Sequence, residues 1–136
     1  MPRQFKLPTN DVKKLPIGLA LPLAPNSTNL FAINYTTAAQ YKTNIRNLIM
    51  TTTGERRMVP QFGSMLRKRI FDQSSNMAEE LQNDVETSMN NWLPEVKIDN
   101  INILQDSTNE HAFLIKMQYS LPFSIVPDNV NLEVTL

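Results

Sequence analysis

The chain of 136 residues contains no cysteine, three glycines, one histidine and one tryptophan. Without cysteine there is no disulfide, no thiolate metal ligand, no iron–sulfur cluster and no thiol nucleophile, a usage that fits a reducing compartment such as the cytosol. No apolar run approaches the roughly 20 residues that span a bilayer. The opening MPRQFKLPTN lacks the continuous apolar stretch of a secretory leader, so the expectation is a soluble chain with no membrane partner. His111 stands alone beside a predicted turn, and a transition-metal site needs more than one such ligand. A glycine-rich phosphate loop, a Gly-x-Ser-x-Gly elbow and a Ser-His-Asp set are also missing. The expectation from these absences is no catalytic residue, no metal and no cofactor.

What is present begins with charge. The 13 basic and 13 acidic residues cancel overall, but they are unevenly placed. Residues 1–71 hold eleven Lys/Arg against Asp11 and Glu55, a balance of +9, and residues 72–136 hold Lys97 and Lys116 against eleven acids, a balance of −9. Such a dipole serves a nucleic-acid site on the basic half, complementary packing of the two halves, or docking between unlike subunits.

Residues 1–36 carry five of the nine prolines. Proline removes a backbone donor and biases its predecessor toward extended geometry, so this segment reads as an N-terminal arm rather than a helix. Leu19, Leu21, Leu23, Leu30 and Phe31 give it enough apolar surface to pack on the domain or on a partner. Residues 37–136 read as one α+β domain. In it, Thr36 or Thr37 caps a helix whose apolar positions are Ala38, Tyr41, Ile45, Leu48 and Ile49. A second helix runs from Asn76, paired with Glu79 as a capping box, to Trp92. Its stripe is Met77, Leu81, Val85, Met89 and Trp92, Pro94 stops it, and Glu79, Glu80, Asp84 and Glu86 form a solvated flank.

Residues 96–104 and 111–120 read as a hairpin around QDSTNE, with Phe113, Ile115, Met117 and Tyr119 on one face, and VNLEVTL (130–136) reads as a third strand. The predicted architecture is two amphipathic helices packed on a small antiparallel sheet, behind an extended arm.

Between the helices lies GERRMVPQFG (54–63), which holds two of the three glycines. Gly54 permits a left-handed turn, and Pro60 and Gly63 restrict and then release the backbone, so the stretch reads as a rigid corner that buries Phe62. The following SMLRKRIF places Met65, Leu66, Ile70 and Phe71 on the inner side of a short helix and leaves Arg67, Lys68 and Arg69 largely outside. Arg56, Arg57 and these three cations are the candidate phosphate-binding cluster, although no aromatic platform or helix-turn-helix spacing accompanies them.

The run YTTAAQYKTNIRNLIMTTTGERRMVPQFGSMLRKRIFD, followed by an acidic helix ending in NNWLPEVKIDNINI, resembles the small baseplate wedge protein of contractile-tailed phages, the gene-twenty-five type. Type VI secretion baseplate subunits are among that family's relatives. The resemblance spans residues 36–136, and its signature corner is matched by Gly54, Glu55, Arg56, Pro60, Phe62, Gly63 and Leu66. It implies a structural virion protein, without nucleic acid as partner, that joins a hetero-oligomeric assembly in the host cytoplasm and ends in the tail baseplate. Its implied partners are the larger wedge proteins and the tail-sheath subunits, whose first ring it initiates through an open sheet edge; the strand bearing Val130, Leu132, Val134 and Leu136 and the 96–120 hairpin are the candidates to supply that edge. Many members carry Glu-Pro-Arg after the second helix for wedge docking. This chain has Leu93-Pro94-Glu95, so Trp92, Pro94 and Glu95 are the candidate docking residues, with only the proline shared. The alternatives are a lysozyme-like enzyme using a carboxylate pair such as Glu55 and Glu95, and a nucleic-acid module using Arg56 to Arg69.

Overall fold

The computed structural model describes residues 15–25, 31–69, 76–105 and 112–135. The expectations placed on Leu30, Ile70, Phe71, His111, most of the QDSTNE turn, Leu136 and the side chains of Met77 and Val134 lie outside the described residues. The chain divides into two units, Met1–Thr43 and Asn44–Leu136.

In the first unit, β1 (Gly18–Leu19) and β2 (Ile33–Asn34) pair antiparallel. The proline-rich arm is therefore a short hairpin in this stretch rather than wholly irregular. Main-chain bonds from Ala20 to Ala32 and from Ala32 to Ala24 extend the pairing. Asn34 is buried, and its side-chain amide donates to the Leu19 carbonyl, Gln40 Oε1 and Thr43 Oγ1. A buried amide must find acceptors, and these three hold the hairpin to the start of the following helix. Leu19, Leu23 and Phe31 remain exposed, and Leu21 is half-buried.

Helix α1 (Thr37–Met50) starts where predicted, with Thr36 Oγ1 accepting from the Ala39 N–H at 3.2 Å. Its Ile45, Leu48 and Ile49 are buried in the second unit, while Ala38 and Tyr41 are half-buried. Helix α2 (Leu66–Arg69) is a single turn with Leu66 buried. Helix α3 (Met77–Trp92) buries Leu81, Val85 and Met89, spaced by four residues along one stripe. Two expectations fail here. Asn76 makes no side-chain cap bond, so no capping box forms, although Glu79 and Glu80 still sit in the first turn, where the helix dipole favours them. Trp92 is 36% exposed, unlike the buried Leu81, Val85 and Met89, and its ring packs on Phe62 at the end of the helix.

Strands β3 (Lys97–Gln105), β4 (Ala112–Ser120) and β5 (Asp128–Thr135) form an antiparallel sheet in that order, and α3 packs against α2 and β3. The last strand starts two residues earlier than its alternation suggested. Register puts Ile103, Ile115 and Leu132 in one cross-strand row and Ile101, Met117 and Val130 in the next. All but the half-buried Ile103 are buried. A bulge between Ile98 and Asn100 inserts Asp99. In an unbulged strand Ile98 and Ile101, three apart, would face opposite sides of the sheet; the bulge puts both opposite the Tyr119 and Met117 face. The outer face carries the rows Asn100, Gln118, Asn129 and Asn102, Lys116, Asn131. These residues line a polar cleft of 280 Å³.

Candidate functional site: the glycine corner, the end of α3 and the edge of β5

The chain leaves α1 at Met50 and makes the corner almost entirely from its own backbone. The Ser64 N–H donates to the Thr51 carbonyl at 2.9 Å and the Thr53 N–H to the Ser64 carbonyl at 3.2 Å, closing a parallel bridge between Thr52 and Ser64. Inside it, the Gly54 N–H reaches the Pro60 carbonyl at 2.8 Å and the Phe62 N–H the Val59 carbonyl at 3.0 Å. Glu55 Oε2 accepts from the Thr52 N–H at 3.0 Å, so this carboxylate closes the first turn. The buried Ser64 hydroxyl donates to the Ile49 carbonyl at 2.7 Å, and Lys68 Nζ to the Thr53 carbonyl at 3.2 Å.

The two glycines serve different needs. Gly54, at φ 99°, needs only its backbone conformation, since a Cβ there would meet nothing. Gly63, at φ 120°, is buried, and a Cβ there would also overlap the Thr51 carbonyl oxygen that the bridge uses.

Phe62 is half-buried, not buried as its sequence context suggested. Its ring is held between the Arg56 guanidinium, 3.9 Å from the ring centroid, and the Trp92 ring in a T-shaped contact at 5.2 Å. Arg56 also donates to Asn47 Oδ1 at 3.3 Å. The cation and edge-on contacts both exploit the negative face of an aromatic quadrupole. They join α1, the corner and the C-terminus of α3 around a cavity of 210 Å³ lined by Asn44, Asn47, Leu48, Arg56, Phe62, Trp92 and Leu93. Pro94 and Glu95 are exposed at its flank, in a turn closed by the Val96 N–H on the Leu93 carbonyl at 3.0 Å. Met58 stands 94% exposed on the corner.

The structure thus brings Gly54, Glu55, Arg56, Pro60, Phe62 and Gly63 into one corner and sets Trp92 against it. Leu66 lies beneath, in the core. Val130 and Leu132 are separate from this site, and their side chains are buried. What β5 offers outward is its main chain, because it pairs with β4 on one side and stands at an edge of the described sheet. No pattern of apolar spacing signals the Arg56–Phe62–Trp92 stack, which joins residues thirty positions apart.

The basic cluster is largely spent within the chain. Arg69 ion-pairs with Glu80 at 2.9 Å and with Asp84, Lys68 bonds the Thr53 carbonyl, and Arg56 stacks on Phe62. Arg67 and Arg69 are half-buried rather than outside. Glu80 and Asp84 accordingly form an internal counter-charge, not a solvated flank. This local neutralisation accounts for part of the sequence's charge dipole and leaves fewer cations to meet a phosphate backbone. Among the described residues no group of three or more His, Cys, Asp or Glu could hold a metal ion, and no helix is long and apolar enough to cross a membrane.

A family model described as baseplate wedge protein gp25 matches residues 31–124, more than half of the chain. The chain belongs to that family. It is a structural baseplate protein of phage-like contractile tails. Solved structures share the wedge-family fold. One, a Geobacter sulfurreducens protein named as a putative tail lysozyme, has a TM-score of 0.67 and 22% identity over 74% of this chain and 92% of its own. A chain of the anti-feeding prophage baseplate has a TM-score of 0.63 and 18% identity, covering 79% and 86%. A chain of the type VI secretion baseplate complex has a TM-score of 0.58 and 9% identity, covering 71% and 91%. Comparison with curated proteins gave no match.

Proposed function

We propose that this wedge-family protein docks on the larger baseplate wedge proteins and initiates the tail sheath. Docking uses the surface where the corner meets the end of α3, with Trp92, Pro94 and Glu95 at its rim. Sheath initiation uses the outer edge of β5, the strand that carries Val130, Leu132 and Val134. The protein assembles in the host cytoplasm and then resides in the tail baseplate.

The observation that supports this reading best is the position of β5. Its Val130 and Leu132 side chains are committed to the core, and its outer edge offers main-chain donors and acceptors, which is what strand addition from a neighbour requires. The corner supports the docking half, since exposed Pro94 and Glu95 follow directly on Leu93 in the wall of an aromatic cavity where Arg56 is held by Asn47 and Phe62, and preorganised surfaces lose little entropy on binding.

The cysteine-free sequence supplies a direct test. Asn131→Cys and Glu95→Cys each introduce a lone thiol that takes a benzophenone label before assembly. After irradiation of assembled tails, the label at 131 should join the sheath subunit and the label at 95 a larger wedge protein. Baseplates containing the labelled protein with adducts to neither would overturn both assignments.

A further inference from the structure

Among the described residues, the most exposed apolar feature lies outside the corner and beyond the strand edge. The β4–β5 loop runs from Leu121 to Pro127, and in it Ile125 is fully exposed at 102%, Val126 is 71% exposed and Phe123 is 54% exposed. The loop is built, not loose. Leu121 anchors it in the core, the Ser124 N–H donates to the Leu121 carbonyl at 3.0 Å, and the Ser124 hydroxyl donates to the Val126 carbonyl at 2.9 Å. Pro122 and Pro127 fix φ near either end. Contiguous exposed apolar side chains on a fixed backbone mark a contact surface rather than incidental exposure.

We propose that this loop is a preformed plug that seats Ile125 and Val126, with Phe123 at its base, in an uncharged apolar cleft of a neighbouring protein of the tail assembly. The proposal rests on the baseplate reading above. Two observations define the occupant. The eleven residues between Lys116 and Asp128 carry no charge, so a charged cleft would bury an ion without a partner, at high cost. The loop is also too small to be a homodimer interface: two such loops meeting would bury far less than the roughly 1,200–2,000 Å² of a stable contact. It fits instead as one anchor of a larger heterologous contact, continuous with β5, whose first residue Asp128 follows directly after Pro127.

The test is co-assembly of tails from equal amounts of wild-type and Ile125→Asp protein, with Val126→Asp as a second variant. Because both side chains point into solvent, neither variant should change the melting temperature of the isolated protein. Both should be under-represented in finished tails by about tenfold or more, the scale of an interface hot spot. A benzophenone label on Ile125→Cys should then join an uncharged apolar segment of a different tail protein. Equal incorporation of the variants, a lowered melting temperature showing that the loop packs within its own chain, or an adduct with a charged segment or a second copy would each overturn the plug. Absence of the wild-type protein itself from purified tails would overturn the baseplate reading and the plug with it.

Discussion

The corner at residues 51–64 and the three-stranded sheet are both parts of one unit, yet they hold their shapes by opposite means. The sheet relies on alternation: every second side chain enters the core, neighbouring rows share the load, and the backbone conformation is one that any residue adopts. The corner buries little beyond Gly63 and Ser64 and relies on a web of main-chain bonds that passes through two positive-φ glycines. A structure held by pattern tolerates local change in proportion to volume lost. A structure held by backbone geometry fails at particular atoms.

The largest effect that sharpens this contrast is Ile115→Ala. This side chain is fully buried between Ile103 and Leu132, and its truncation should cost about 2–5 kcal/mol in denaturant unfolding. Next comes Gly63→Ala against Gly54→Ala. Positive-φ strain alone costs about 1–3 kcal/mol; Gly63→Ala should reach the top of that range or exceed it, because it also displaces the Thr51 carbonyl, and Gly54→Ala should stay near the bottom. Equal costs at the two positions would break the argument that the bridge, rather than the turn alone, demands glycine.

Tyr119 offers a pH test of the sheet. Its pKa is raised above the usual range, first by burial, then by the charge of Asp128, and then by the hydrogen bond to that carboxylate at 3.2 Å. A raised folded pKa means stability is fully present below the unfolded tyrosine value of about 10 and falls as pH climbs above it. Tyr119→Phe should remove up to about 1.4 kcal/mol per pH unit from that alkaline loss. Identical slopes above pH 10 in wild type and variant would refute the coupling. The smallest effect is expected for Arg69→Ala. Its pairs with Glu80 and Asp84 are partly exposed, with side-chain exposures of 37%, 45% and 22%, so solvent screening should hold the loss to about 1 kcal/mol or less, shrinking further in high salt. A loss of several kcal/mol would make α2 a strut of the core.

Much of the fold was legible in advance for a physical reason. The stripe Leu81, Val85 and Met89 and the alternation of Phe113, Ile115, Met117 and Tyr119 are periodic signals, and burial reads them directly. The corner was legible in kind, because few residues other than glycine accept its backbone angles. Its partners were not. Arg56 looked like one cation among five, and Trp92 like the last residue of a stripe, until the chain path brought both to Phe62. The Asp99 bulge and the exposed Ile125 were equally hidden, since no local spacing shows where a strand gains a residue or which way a loop turns.

Composition, periodicity and the glycine placements by themselves determined the α+β class, the helical and strand segments and the turn chemistry of the corner. These are local properties, set by backbone sterics and by which side chains water excludes. Tertiary structure alone decided that Arg69 is used up by Glu80 and Asp84, that Phe62 is clamped rather than buried, and that β5 stands at an edge. Each depends on contacts between residues distant in sequence, and no local pattern encodes which of several compatible partners the folded chain brings within reach.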